Sequence, residues 1–228
     1  MDAEYFQPKY ADIENRIKGY KGGYLLLSDI VNCTKGYEVG SEAYTDNKND
    51  IPFIRVSDVS VNGINRTEKT ISHELYQSLK DNYSPKKNDV LMTKDGTLGI
   101  SFVIDEDIKA ILCGAFLKMQ IKIDMNPYCL AIILNSLICK MQIEKLCGGA
   151  IIEHLTPSNA LSILIPNIPH TLQTQIATNI QKSNFARKQS RKLLEIAKQA
   201  VEMAIEQNES VATEFVRLEC EKIGVRIE

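Results

Sequence analysis

A net charge of −2, from 27 Lys and Arg against 29 Asp and Glu, excludes indiscriminate attraction to polyanions but leaves room for a local basic surface. With 44% of its 228 residues hydrophobic, the chain can build one large core, or one core with an appendage, and wholesale disorder is excluded. No run approaches the roughly 18 uninterrupted apolar residues of a membrane span, and the opening "MDAEYFQPKYADIENRIKGY" has early acids and no apolar signal core.

Pro8 opens a short amphipathic helix over residues 8–19, with Tyr10, Ile13 and Ile17 on one face and Gly19 at its end. "YLLLSDIV" reads as a strand, and Asn32 to Asp50 as a long polar loop, a length that is usually functional or disordered. "IPFIRVSDVSVNGIN" is β-rich and alternating, with an Asn62–Gly63 turn. Ser72 caps a helix through Leu79, and Pro85 marks the turn into a strand from about Val90. In "VLMTKDGTLG" an apolar run stops at a Lys-Asp-Gly tip; Asp-Gly is common hairpin punctuation, so the pattern alone fits either a bare turn or a presented Lys94. "SFVI" and "AILCGAFLKMQIKI" read as further strands. "NPYCLAIILNSLICKMQIEKL" reads as one helix, capped by Asn126, started by Pro127 and stopped by Gly148-Gly149. "IIEHLTPSNALSILIP" mixes strand, a helical turn near Ser158 and a last strand.

From Thr171 to about Gln207 there is neither Gly nor Pro. Ile176, Ile180, Ser183, Arg187, Ser190, Leu194, Ala197, Val201 and Ala204 step by four and three alternately. That is a helix-pairing seam, apolar at both ends and polar in the middle, on a rod on the order of 50 Å long. The expected architecture is an α/β (α+β) globular head, residues 1–170, followed by a long coiled-coil-forming α-helix, 171–208. A partly helical tail follows over 209–228. A long helix lying on its own head is the competing arrangement.

Several chemistries lack their residues. "NPYC" has one proline too few for the Asn-Pro-Pro-Tyr loop of adenine-methylating enzymes, and a helix start explains it better. Asp95 with Asp107 and Lys109 has the loose form of a metal-dependent nuclease motif, with Asp107 and Lys109 on an apparent turn. No Gly-rich phosphate loop and no G-x-S-x-G is present. Six scattered cysteines without C-x-x-C read as reduced thiols in a cytoplasmic protein, and His73, His154 and His170 are too far apart in sequence for a zinc motif. A metal site is not expected, and catalysis by this chain alone is improbable.

Three segments in order carry a resemblance: "IPFIRVSDVSVNGI", then "NDVLMTKDGTLG", then "GGAIIEHLTPSNALSILIPNIPHTLQTQIATNI" leading into the long helix. This succession resembles the target recognition domain and helical conserved region of type I restriction–modification specificity subunits. A full subunit of that family carries two recognition domains and two helical spacers, so this chain looks like a half-subunit or a one-domain fragment. The resemblance implies a non-catalytic head that reads one half of a split site in double-stranded DNA. Its helix would pair with a second copy, or with a second recognition domain, and dock a DNA adenine methyltransferase subunit and a restriction/translocase subunit. S-adenosylmethionine, ATP and Mg would belong to those partners, and this chain would hold no cofactor.

On this reading Thr93, Lys94 and Thr97 stand near the DNA side, unless the shared tip is scaffold. Sequence choice falls to Lys35, Tyr37, Tyr44 and Lys48 in the first long loop, and to Arg55, Ser57, Asn62, Asn65 and Arg66. Arg55 also fits an ordinary surface charge. The run Lys182, Arg187, Lys188, Arg191 and Lys192 suits a DNA track, a solvated helix face or a docking surface equally. The alternatives from other classes are a protein–protein scaffold with a dimerising helix, and a stand-alone nuclease.

Overall fold

Pro8, whose fixed φ suits a first helical turn, opens α1 (Pro8–Lys18), and the Gly19 N–H closes it on Asn15 O at 2.8 Å. Tyr10 and Ile17 are buried on its inner face. The computed structural model describes residues 6–45, 47, 49–147 and 154–225. "YLLLSDIV" is not one strand: β1 (Tyr24–Leu26) gives way to a helical turn, α2 (Leu27–Ile30), before β2 (Val31–Lys35). Asp29 causes the break, because its carboxylate accepts the Leu26 N–H at 3.0 Å and closes a turn that buries Leu27 and Ile30 completely.

The long polar loop holds β3 (Tyr44–Thr45), and β4 (Ile51–Ile54) follows. The Asn62–Gly63 turn joins β5 (Val59–Ser60) to β6 (Gly63–Ile64), with Gly63 at a φ of +104° that only glycine adopts freely. After β7 (Thr70–Ile71), Ser72 caps α3 (His73–Tyr83) by accepting the Leu75 N–H at 3.1 Å. β8 (Val90–Thr93) and β9 (Ser101–Val103) pair antiparallel around the Lys-Asp-Gly tip. "AILCGAFLKMQIKI" divides into β10 (Ile111–Leu112) and β11 (Phe116–Ile121).

The single helix expected after Asn126 is two, α4 (Pro127–Asn135) and α5 (Leu137–Cys147), separated where Ser136 turns extended at a ψ of 160°. The Gly148-Gly149 stop lies outside the described residues. Thr156 caps α6 (Pro157–Leu161), and β12 (Leu164–Pro166) pairs antiparallel with β1. α7 (His170–Glu206) and α8 (Glu209–Lys222) complete the chain, α8 being capped by Asn208, which accepts the Val211 N–H at 3.0 Å.

Two four-stranded sheets organise the head: the antiparallel β2-β11-β8-β9, and β10-β4-β7-β3, where only β10 and β4 run parallel. Strand alternation between two cores explains why "VLMT" is buried throughout. Val90 and Met92 face one core with Leu130 and Ile143 of α4 and α5, while Leu91 faces a second core with Ile54 and Leu112 of the other sheet. The sheet is covered on both faces, so no polar side is left to alternate.

The chain divides into two compact units, Met1–Ala177 and Thr178–Glu228. The first turns of α7 belong to the head because Gln173 is buried there, its Oε1 accepting the Asn126 N–H at 2.9 Å and its Nε2 donating to Ile168 O at 2.8 Å. Ile176 packs on the same core. In the second unit, Ile196 of α7 is buried together with Ala212 and Cys220 of α8, and Gln189 Nε2 donates to Ile223 O at 3.4 Å. Within the tail expected over 209–228, α8 occupies Glu209–Lys222.

Candidate functional site

The tip between β8 and β9 is closed from within. Thr93 Oγ1 accepts the Ile100 N–H at 3.0 Å and donates to Thr97 O, while the Gly99 N–H reaches Thr93 O at 2.9 Å. Gly96 and Gly99 carry the positive φ values, +70° and +75°, that the reversal needs. Thr93 is fully buried and Lys94 is 1% exposed, so neither stands out toward a partner as expected. The reason is the pairing on every side. Lys94 N–H donates to Ala115 O at 2.8 Å, its C=O accepts the Leu155 N–H at 2.9 Å, and its Nζ lies 2.6 Å from Asp95 Oδ2. A buried ammonium needs such a counter-charge. Only Thr97 of the three is exposed.

Asp95 has a second partner. Its Oδ1 pairs with Nδ1 of His154, and the two residues also form an antiparallel backbone bridge. The second and third sequence segments singled out above therefore meet at this tip. The first arrives through Gly96, where an added Cβ would lie 3.8 Å from Val56 Cγ1. Val56 belongs to a one-turn helix, Val56–Asp58, held by the buried Asp58. Asp58 accepts the Arg55 N–H at 2.9 Å and the Ser57 hydroxyl at 3.2 Å, and its C=O accepts the Asn65 N–H at 2.7 Å.

Arg55 is under-satisfied. Its Nη2 lies 3.6 Å from Asp58 and 3.5 Å from Glu68, both long for charge-assisted bonds, and its buried Nε has no partner. Lys35 pairs with Glu38 and holds that carboxyl below its usual range, with the Lys94 and Asp95 charges also acting on it. Asn62, Asn65 and Arg66 are exposed on and beside the β5–β6 hairpin. Tyr37 and Tyr44 are packing residues in the second sheet's core, Tyr37 tilted on Tyr83 at 5.0 Å and Tyr44 on Phe53 at 5.6 Å. Lys48 lies outside the described residues.

The nuclease constellation is not assembled. Asp95 is taken up by Lys94 and His154, whereas Asp107 accepts the Lys87 N–H at 2.8 Å and Lys109 lies 5.8 Å from the Tyr76 ring. Asp107 and Lys109 line a separate open cavity of about 460 Å³ with Tyr76, Lys80 and Lys86. Among the described residues no group of three His, Cys, Asp or Glu could hold a metal ion. His154 is the residue that sequence reasoning missed. A lone histidine in an apolar run gives no signal, and only strand pairing brings it to Asp95.

On α7 the pairing seam and the buried line differ. Gln189, Leu193, Ala200 and Met203 are half-buried around the buried Ile196. Leu194 at 57% and Val201 at 59% exposure lie on the other side with Ile205, and Ser183, Arg187, Ser190 and Ala197 are exposed too. Ile180 and Ala204 are half-buried.

Residues 25–190 match the family model described as type I restriction modification DNA specificity domain. Comparison with curated proteins found no match. The fold is similar to the S subunit of the type I restriction–modification system from M. genitalium, with a TM-score of 0.54 at 13% identity over 82% of this chain and 45% of that one. It is also similar to the HsdS subunit from Thermoanaerobacter tengcongensis, with a TM-score of 0.51 at 15% identity over 94% of this chain and 50% of that one. The type IIG restriction endonuclease BpuSI matches with a TM-score of 0.59 at 12% identity over 78% of this chain and 28% of that one. The chain spans about half the length of the two subunits it matches.

Proposed function

Because the chain belongs to the type I restriction–modification DNA specificity family, we propose that it is a non-catalytic subunit that reads one half of a bipartite duplex target. It directs methylation and cleavage by an adenine methyltransferase and a restriction/translocase subunit, which bring S-adenosylmethionine, ATP and Mg. The observation that carries this reading is the family match over 25–190, which covers most of the head and the first half of α7.

The head's polar surface around Arg55, Ser57, Asn62, Asn65, Arg66, Lys35 and Thr97 supplies the contacts to DNA. Arg55 is the strongest base or phosphate reader among them, because a guanidinium with long ion pairs keeps donors for an incoming acceptor. The exposed apolar positions Leu194 and Val201 support helix pairing with a second copy or a second recognition domain. A cytoplasmic location suits such a partner set; among the described residues no helix is long and apolar enough to cross a membrane.

The test is co-purification with a type I adenine methyltransferase subunit, followed by duplex binding at graded salt. A split-site duplex is expected to bind with an affinity falling roughly tenfold or more between 50 and 200 mM salt, as release of several counterions requires. A chain that joins no such methyltransferase and ignores duplex DNA at low salt refutes the proposal.

A further inference from the structure

Lys94, Asp95 and His154 form a cluster of titratable side chains whose pairing the reading above leaves unused. We propose that His154 reads a base edge in the major groove, oriented by Asp95, and that Lys94 is the buried positioning residue that holds Asp95 for it. This inference rests on the DNA-recognition reading.

The geometry divides the Asp95 carboxylate between two partners, Oδ2 to Lys94 and Oδ1 to His154 Nδ1. A carboxylate can only accept, so Nδ1 carries the proton, and it is the neutral tautomer of this arrangement that offers a lone pair on Nε2. The backbone bridge between Asp95 and His154 fixes where the ring starts, and the side chain remains 49% exposed. A histidine held by a carboxylate at one nitrogen presents the other in a set direction, as it does in metal sites. In the neutral tautomer that nitrogen is an acceptor. Phosphate oxygens are acceptors too, whereas the exocyclic amino groups of adenine and cytosine are the major-groove donors it can take.

Burial of Lys94 points the same way. An apolar residue of similar volume fills such a place at no loss of stability in many proteins, so a charge at 1% exposure asks for a reason beyond packing. Its effect is to hold the Asp95 carboxylate aimed at His154. Gly96, next to Asp95 in the chain, lies beside the Arg55–Asp58 turn, since a Cβ added there would sit 3.8 Å from Val56 Cγ1.

Selection of bound duplexes from a library with randomised positions tests this, using the full chain as wild type, His154→Arg, His154→Gln and Lys94→Met. The wild type enriches a word with adenine or cytosine at the position His154 reads. His154→Arg, which can only donate, switches that one position to guanine and binds the original word at least tenfold more weakly; His154→Gln, which keeps an acceptor, retains it. Lys94→Met blurs the same position and leaves the others sharp, a pattern that general loss of stability does not produce. On the wild-type chain, the enriched duplex slows modification of His154 by diethyl pyrocarbonate several-fold and leaves His73 and His170 unchanged. A His154→Arg word identical to the wild-type word, or equal modification of His154 with and without duplex, overturns the inference while leaving DNA recognition intact. A wild type that enriches no word overturns both.

Discussion

Asn135 satisfies both backbone groups of Ser101: its Oδ1 accepts the Ser101 N–H at 3.0 Å and its Nδ2 donates to the Ser101 C=O at 2.6 Å. Ser101 begins β9, an edge strand, and these two groups point away from β8 beneath α4. Asn135→Leu leaves both unpaired, and at about 1–3 kcal/mol for each such group it destabilises the head by roughly 2–6 kcal/mol. Urea melts should show a lower midpoint with an unchanged slope; an unshifted midpoint would mean that water replaces the amide.

Lys118 plays a similar part at the end of α3. Its buried ammonium donates to Asn82 O at 2.6 Å and Ser84 O at 3.3 Å, and burial pushes its pKa below the usual lysine range. Burial likewise raises the carboxyl of Asp89, with the Lys118 charge opposing that rise. Lys118→Met strands two carbonyls and removes the counter-charge, costing about 3–5 kcal/mol, and Asp89→Asn in that background recovers part of it.

The sign of the pH response follows from the same pair. The folded chain holds the Asp89 proton more tightly than the unfolded chain, so this group's stabilisation is present at low pH and is lost as pH rises through its folded value, above 3.8. Lys118 runs oppositely: its folded form gives up the proton more readily, and stability grows as pH climbs toward 10.5. Asp89→Asn should therefore remove the loss of stability that this carboxyl contributes as pH rises above 3.8, and leave the alkaline gain, which Lys118→Met removes instead.

Local chemistry made α1, the caps at Ser72 and Asn126, the Asn62–Gly63 hairpin and the long helix α7 legible in the sequence, because each depends on neighbours within a few residues. What escaped depends on partners far along the chain. The break at Ser136 follows Asn135, which serves Ser101, thirty-four positions away. The tip pattern fits either a bare turn or a presented Lys94 because the burial of that residue is set by Ala115 and Leu155, and His154 carries no signal until a backbone bridge brings it to Asp95. On α7 the heptad pattern admits two adjacent faces, and only the presence of α8 decides that Ile196 is the inner one.

Thiol chemistry offers an inexpensive check on the packing. Burial pushes Cys33 up to about 11 and Cys139 up to about 12, and raises Cys113 and Cys129 as well. Only the thiolate reacts, so at pH 8 Cys33 should alkylate on the order of a hundredfold more slowly than a free cysteine although it is half-buried rather than enclosed. Denaturation releases all six thiols. Rapid native labelling of Cys33, followed by mass spectrometry, would contradict the placement of β2 against β11.

The two faces of α7 predict opposite phenotypes for neighbouring substitutions. Ile196 is buried in the helical hairpin, so Ile196→Asp strips α8 of its support and lowers the melting temperature of the second unit, as an unpaired buried charge requires. Leu194 and Val201 are exposed in the single chain, so Leu194→Asp with Val201→Asp leaves that melting temperature near wild type. If the outer stripe is the pairing seam, the same double substitution weakens self-association at least a hundredfold in sedimentation equilibrium, because two charges then face an apolar seam. A wild type that sediments as a monomer at tens of micromolar, alone and with its methyltransferase, would assign the stripe to solvent and leave the helix without a pairing role.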